Sequence, residues 1–513
     1  MGNTSVEYKP SILFTNLFLA ARSGSELHVL ELAKAFLAKG WDVTCFSLVR
    51  AYPLQDLFAQ VGIKVIRYGE EDQLADHYSV LYAQHHIVSD YLWDCTSITF
   101  DKVIVASLGP LAEHEKLPSF SQVASLQVFV SYETLEHNQI TNSKIPALVF
   151  PNSVDKPWFD NAPRKDLPKT PKRIAIISNH IAQELLDYME LAGNNCHIDC
   201  YGYEGRSIEI TLSLITSYDL IISIGRTVPL CFAARTPVYC YDVHGGPGYI
   251  GPDSVERDSF FNFSGRSNPR KLNALELLDD ITSNYESATY RLEALYQYAC
   301  NHLDFTENFE KLYRAISTTS QAPAHVGVGN RQCTELTKIN RRNQCEAFID
   351  GYSKTLGIAQ LFFSANGEAA SEANSVTFPY CYHTDIDASN LIQGHVSDGA
   401  CIRFDPDIHP VTCAISGSSS ISPLNRERST QNGDLFLTND PIYLGEIQEL
   451  RFCSTPLSEA DYCLEYSRLK ADGEEKGRLI TYLRNEIDQA KQQIREHEEP
   501  LRKKILRRVK HGL

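Results

Sequence analysis

The strongest indication of a fold in this chain is the stretch Tyr218-Asp219-Leu220-Ile221-Ile222-Ser223-Ile224-Gly225-Arg226-Thr227. An apolar run of strand length ends at Gly225, Thr227 is expected to cap a helix of about nine residues, and Val238-Tyr239-Cys240-Tyr241 predicts the next strand. The start of such a helix attracts anions, because free backbone N–H groups and the positive end of the helix dipole converge there. Gly225, Arg226 and Thr227 are therefore candidate phosphate ligands, although most units of this kind bind nothing.

Length and charge limit the class of protein. A chain of 513 residues holds roughly two to four domains, and a formal charge of −16 argues against nucleic acid as a partner. The 14 cysteines show no short-range pairing regularity, which favours reduced thiols and a cytoplasmic location. Cys196 and Cys200 lie in a predicted strand without a second Cys or His pair at ligand spacing, so no metal site is expected.

The N-terminal part alternates strands and helices. A strand over Ile12–Leu19 precedes a run with helical spacing that ends at Gly40, and further strand-like runs occupy 43–48, 64–66, 80–83, 103–106 and 126–130. This pattern predicts a parallel sheet with helices on both faces, and residues 1–150 are assigned to a first Rossmann-like domain.

A second sheet follows a proline-rich break after residue 150. Residues 173–178 and 197–201 are predicted strands around a helix that Gly193 closes, and they lead into the stretch quoted above. Residues 151–320 are assigned to a second Rossmann-like domain. Two such sheets face a cleft at the carboxyl ends of their strands, where ligands bind.

Three motifs resemble the GT-B glycosyltransferases, in particular the group 1, family 4-like enzymes of bacterial polysaccharide biosynthesis. They are the first strand with its small-residue loop and Glu26, Phe-Pro-Asn-Ser-Val-Asp at 150–155, and Ala-Ala-Arg-Thr-Pro-Val at 233–238. The resemblance spans residues 10–315. It implies a nucleotide-sugar donor held as substrate by the second domain, an acceptor hydroxyl activated from the first, and no cofactor or bound metal.

Two features depart from that family. The stretch Ser217–Arg235 contains no Glu, so the paired glutamates usual in retaining members are absent, and Leu230 stands where one is expected. The basic residues that clasp the donor diphosphate are replaced by Ser178-Asn179-His180. Whether the reaction retains or inverts the anomeric centre therefore stays open.

The candidate site residues fall into two groups. Donor binding is assigned to turns at strand ends and helix starts, at Gly24, Ser178, Asn179, His180, Gly225, Arg226, Thr227, Asp242, His244, Gly245 and Gly246. Acceptor activation needs an acid or base from the first domain, for which the candidates are His85, His86, Glu133 and Glu26. Each of these four could instead be a surface or helix-capping residue.

The C-terminal third predicts different structure. Residues 321–354 are assigned to a linker and 355–457 to a β-sandwich-like module that resembles one attached to bacterial polysaccharide glycosyltransferases. That module either binds carbohydrate or serves as a spacer. Residues 458–513 are expected to be helical, with a coiled-coil seam at 478–497 for a homo-oligomer and a basic amphipathic tail at 501–513. The tail would lie on an anionic membrane, or dock onto the protein's own acidic surface or a partner.

Together these features predict a cytoplasmic glycosyltransferase, peripheral on the inner membrane. It would add a sugar to a growing cell-surface polysaccharide, of the lipopolysaccharide O-antigen or capsule type, on a lipid-linked acceptor. The alternative is a non-catalytic GT-B scaffold or carbohydrate-binding protein of a polysaccharide assembly complex. A nucleotide-sugar epimerase shares the two-domain architecture, but the added module and basic tail suit a polymeric or membrane-linked acceptor better.

Overall fold

The computed structural model describes residues 9–138, 144–164, 166–179, 181–193, 196–202, 208–320, 333–364, 374–393, 401–416, 419–447 and 449–471. His180 and the segments 478–497 and 501–513 lie outside these ranges. The chain forms two compact units. Residues 1–48 and 58–345 belong to the first unit, and residues 49–57 and 346–513 belong to the second.

The N-terminal half of the first unit is built on a seven-stranded sheet. Its strands are β1 (Ser11–Leu19), β2 (Asp42–Arg50), β3 (Lys64–Arg67), β4 (His77–Gln84), β5 (Thr99–Ser107), β6 (Leu126–Phe129) and β7 (Ala147–Val149), in the order β3-β2-β1-β4-β5-β6-β7. The helices in this part of the chain are α1 (Gly24–Ala38), α2 (Leu54–Gln60), α3 (His86–Cys95) and α4 (Tyr132–Asn138). The pairing is parallel between β2 and β3, between β1 and β4, and onward through β7. This is the strand order of a Rossmann-like sheet.

A second, five-stranded sheet carries the other half of the first unit. Its strands are β8 (Arg173–Ser178), β9 (His197–Gly202), β10 (Leu220–Ser223), β11 (Val238–Asp242) and β12 (Gly245–Tyr249), in the order β12-β11-β10-β8-β9. Only β12 pairs antiparallel within this sheet. The helices are α5 (Lys156–Asn161), α6 (Gln183–Ala192), α7 (Leu212–Thr216), α8 (Thr227–Ala233), α9 (Val255–Phe260), α10 (Ala274–Thr289), α11 (Leu292–His302) and α12 (Phe305–Thr318). The two Rossmann-like sheets of a GT-B fold are thus present, as predicted.

Helix α12 packs against the N-terminal half. Phe309 contacts Phe36 with ring centroids 5.2 Å apart, and the Lys102 ammonium donates a 2.6 Å hydrogen bond to the Ile316 carbonyl. Val154, which leads into the second sheet, pairs with Asp304, which precedes α12. The chain therefore passes between the halves at two adjacent points, which fixes the two sheets next to each other.

The second unit is a β-sandwich, as predicted. Its strands are β13 (Leu356–Ser364), β14 (Ser375–Cys381), β15 (Ile386–Asp387), β16 (Cys401–Asp405), β17 (Val411–Ser416), β18 (Ser419–Pro423), β19 (Arg428–Thr430), β20 (Gly433–Phe436), β21 (Tyr443–Ile447) and β22 (Arg451–Pro456). They form the five-stranded sheets β14-β13-β16-β21-β18 and β15-β22-β17-β20-β19 around one apolar core. The remaining helices of the described ranges are α13 (Glu335–Ser353), in the region predicted as a linker, α14 (Ser389–Gln393) and α15 (Glu459–Ala471).

Residues 49–57 enter this unit from a distant part of the sequence. The Tyr52 ring is buried in the sandwich core. Its backbone N–H donates to the Pro379 carbonyl and its carbonyl accepts from the Cys381 N–H, both in β14. The link between Tyr52 and the sandwich was not predicted.

None of the helices in the described ranges is both long enough and apolar enough to cross a bilayer.

Candidate active site between the Rossmann-like halves

Each Rossmann-like half has an open turn after one of its strands. Gly24 begins α1 after β1, and Gly225 lies between β10 and α8. A Cβ placed on either glycine would meet no atom within 4 Å. The Arg226 guanidinium donates a short hydrogen bond to the Glu31 carboxylate on α1, so the start of α8 is joined to the first half. The turn at the start of α8 thus combines free space with an arginine.

The start of α8 differs from the sequence prediction. Gly225 has φ 60°, in the left-handed region that favours glycine, and its N–H donates to the Phe263 carbonyl at 2.8 Å. Arg226, already in helical geometry, occupies the N-cap position without a side-chain cap bond. The expected Thr227 cap is therefore wrong, and α8 has seven residues instead of about nine. Arg226 keeps its place beside the turn as a candidate phosphate ligand.

Glu26 is a buried carboxyl at the start of α1. Its Oε2 accepts hydrogen bonds from the hydroxyls of Ser23 and, at 2.7 Å, Ser25. Its Oε1 is buried without a hydrogen-bond partner among the described residues. Burial raises the pKa of Glu26 to about 7, although the two serine hydroxyls act in the opposite direction. A carboxyl that titrates near neutrality can accept a proton from a substrate hydroxyl.

His85 is buried at the end of β4 and has both ring nitrogens engaged. The Leu17 N–H donates to Nδ1 at 3.1 Å, which assigns the ring proton to Nε2. Nε2 then donates to Glu115 Oε1 at 3.1 Å, while Glu115 Oε2 accepts from the Leu108 N–H at 2.6 Å. These hydrogen bonds connect His85 to β1 and to the segment around Glu115. They leave His85 no free nitrogen with which to act as a base.

The same contacts bear on metal binding. One ligand atom each from His85, His114 and Glu115 lie within 4.8 Å of one another. A histidine that binds metal through one nitrogen normally donates a proton from the other. His85 Nδ1 instead faces the donor N–H of Leu17, so the ring does not fit a metal ligand at Nε2.

The other two acid–base candidates, His86 and Glu133, each lie beside a side chain of opposite charge type. His86 Nδ1 lies 3.7 Å from Asp90 Oδ2 on α3. Glu133 accepts two hydrogen bonds, of 2.8 and 2.5 Å, from Arg266 of the second half. Glu133 is thus held in an ion pair that bridges the halves, as Glu31 is.

The structure brings together only some of the residues of the second half that were predicted to bind the sugar donor. Ser178 Oγ donates to Asp242 Oδ1 at 3.2 Å, where β8 and β11 end. Asn179 and His244 are exposed. Gly245 and Gly246, predicted in a ligand-binding loop, instead lie in strand β12, which corrects that prediction. The turn consists of Val243 and His244 alone.

Close backbone packing explains the glycines of β12. A Cβ on Gly246 would lie 2.0 Å from the Cys240 carbonyl oxygen, and one on Gly245 would lie 2.2 Å from that of Arg270. The glycines therefore allow protein backbone to approach closely at this strand. Glu31 and Glu115 were not predicted as site residues, because their roles depend on contacts made only in the folded chain.

Comparison with solved structures gives low-identity likenesses to glycosyltransferases. A glycosyltransferase from Rickettsia africae is 14% identical, with 61% of this chain and 100% of that chain covered and a TM-score of 0.39. WaaG, a glycosyltransferase involved in lipopolysaccharide biosynthesis, is 10% identical over 60% of this chain and 100% of that one, with a TM-score of 0.39. Sucrose-phosphate synthase from Thermosynechococcus elongatus is 11% identical over 60% and 99%, with a TM-score of 0.36. No protein-family model matches the sequence. No curated protein matches it either.

Proposed function

We propose that this protein is a glycosyltransferase that moves a sugar from a nucleotide-sugar donor to an acceptor hydroxyl. One observation carries the proposal. A buried carboxyl with a pKa near neutrality, Glu26, lies beside an open turn of one Rossmann-like half, and Arg226 lies beside an open turn of the other. The first group suits proton transfer, and the second suits a phosphate.

The reaction needs few groups from the protein. The acceptor oxygen attacks the anomeric carbon while Glu26 Oε1 takes the hydroxyl proton. The bond between that carbon and the β-phosphate oxygen breaks, and its electron pair stays on the nucleoside diphosphate. Arg226 and the N–H groups at the open turns would stabilise this charge. A single displacement of this kind inverts the anomeric centre, which agrees with the missing paired glutamates.

The acceptor we propose is a growing cell-surface polysaccharide on a lipid carrier. The appended β-sandwich and the basic sequence at 501–513 support this choice. Truncation after Glu499 should release the protein from anionic liposomes without reducing transfer to a water-soluble acceptor. Equal liposome binding by the full and truncated chains would remove the membrane role of the tail.

A non-catalytic scaffold is the second candidate, and one contact favours it. Glu31 neutralises Arg226, which is the charge that a donor phosphate needs. In that case the Arg226–Glu31 pair would be a permanent connection between the halves.

A thermal-shift screen separates the two candidates. The full chain would be heated with UDP, GDP, CMP, dTDP and their sugars at millimolar concentration. A ligand that binds only the folded state raises its melting temperature, so stabilisation by one nucleotide family would support the donor site. No shift with any of them would contradict the enzyme proposal and favour the scaffold.

A further inference from the structure

Gln84 is a fully buried side chain at the carboxyl end of β4, and it was not among the predicted site residues. Neither its Oε1 nor its Nε2 has a hydrogen-bond partner among the described residues. A buried polar atom without a partner destabilises the folded state, so native proteins rarely keep an amide unpaired on both atoms. Such an amide at the ligand-binding edge of a parallel sheet requires an explanation.

Strand geometry places Gln84 beneath the start of α1. Tyr82, two residues earlier, points to the same face of the sheet, and its hydroxyl lies 3.3 Å from His28 Nε2 on α1. Asn16, on the neighbouring strand, donates to the Ser25 carbonyl at 3.3 Å, at the first turn of that helix. Glu26, whose Oε1 is also unpaired, belongs to the same turn. The unpaired amide and the unpaired carboxyl oxygen thus share one region of the sheet edge.

From this arrangement we infer that Gln84 positions the attacking hydroxyl of the acceptor against Glu26. The inference rests on the proposed function. The amide nitrogen donates hydrogen bonds and the amide oxygen accepts them, and a hydroxyl group can do both. Gln84 can therefore either donate to the acceptor hydroxyl or accept from it. Glu26 Oε1 would receive the proton while the amide fixes the direction of the oxygen lone pair. Gln84 is a positioning residue in this account, and a water molecule at the same place is the simplest acceptor.

The test uses water as that acceptor, because donor hydrolysis needs no knowledge of the glycan. Nucleotide release from the sugar nucleotide that stabilises the protein would be measured for Gln84→Met, a variant of similar size without the amide. We expect the kcat of hydrolysis to fall about tenfold or more, since one buried hydrogen bond to the reacting group is lost, while the donor KM stays unchanged.

Gln127 supplies a matched control. It is a buried glutamine on β6 with an unpaired Nε2, and the register places it on the opposite sheet face from Gln84. Gln127→Met should leave kcat unchanged.

Each other result has a definite meaning. Unchanged kcat in Gln84→Met would overturn the inference, whatever the melting temperature of the variant. Wild-type protein that binds the sugar nucleotide but does not hydrolyse it would also overturn the inference, while the donor site would stand. Failure to bind any nucleotide would overturn the proposed function itself.

Discussion

Removing the carboxylate of Glu31 is expected to strengthen diphosphate binding, because that carboxylate competes for the Arg226 guanidinium. The two side chains are 25% and 19% exposed, so the pair is partly screened by solvent. Burial raises the pKa of Glu31 even though Arg226 acts to lower it. The carboxylate therefore pays a desolvation cost in this position, and a neutral glutamine would be tolerated there.

The size of the effect follows from the exposure of the pair. A partly exposed ion pair contributes about 0.2–1 kcal/mol, so Glu31→Gln should tighten diphosphate binding by at most about fivefold. Arg226→Ala removes a charge-assisted hydrogen bond worth about 1.5–3 kcal/mol, so it should weaken binding by roughly 10- to 150-fold. In the Arg226→Ala background, Glu31→Gln should have no further effect, since the competition is gone.

Isothermal titration calorimetry with inorganic pyrophosphate measures these affinities even when the nucleobase of the donor is not known. Glu133→Gln is the matched control, because it also breaks an Arg–Glu pair between the halves but leaves Arg226 untouched. Equal gains in Glu31→Gln and Glu133→Gln would mean that the substitutions act by loosening the halves. Weaker binding by Glu31→Gln, or an unchanged affinity for Arg226→Ala, would refute the competition.

Three further predictions concern stability. Tyr52→Ala should lower the free energy of unfolding of the second unit by about 3–5 kcal/mol, measured by chemical denaturation, because a ring in the sandwich core is removed; a loss below about 1 kcal/mol would contradict that placement. His85→Ala should cost about 3 kcal/mol because the Glu115 carboxylate loses its ring N–H, and Glu115→Gln in the same chain should recover part of the loss; additive losses would refute the pairing. Burial holds the folded pKa of Glu26 near 7, above its value of 4.5 in the unfolded chain, so ionisation disfavours the folded state. The unfolding free energy should fall by about 3 kcal/mol as pH rises from about 4.5 to 7, and Glu26→Gln should lack this slope; the same slope in both proteins would exclude Glu26.

Local sequence was enough to place β1–β6 and β8–β11 of the two Rossmann-like sheets, but not β7 or β12. Strand β8 occupies Arg173–Ser178 as predicted, because a strand buried on both faces of a parallel sheet reads as a continuous apolar run. Helix α6 ends with Gly193 at its C-cap, as predicted, because glycine is a local signal for the end of a helix. Glu26 was chosen from its position after a strand and a small-residue loop, and the structure places it, buried, at the start of α1.

Long-range contacts account for what the sequence did not predict. Glu115 meets His85 across 30 residues, and Tyr52 joins a sandwich whose strands begin near residue 356, so neither contact leaves a local pattern. The glycines after Asp242 were read as a loop, since glycine usually marks turns. In β12 they serve instead to let the Cys240 and Arg270 backbones approach.

The role of Glu26 as the base for sugar transfer would be tested by the release of nucleoside diphosphate from a panel of sugar nucleotides. It would be measured at about pH 6 and pH 8 for the wild-type chain and for Glu26→Gln. We expect release from one donor, faster at the higher pH because Glu26 then accepts protons, and a loss of about 100-fold or more in the variant. No release from any donor, or equal rates in the two proteins, would contradict it.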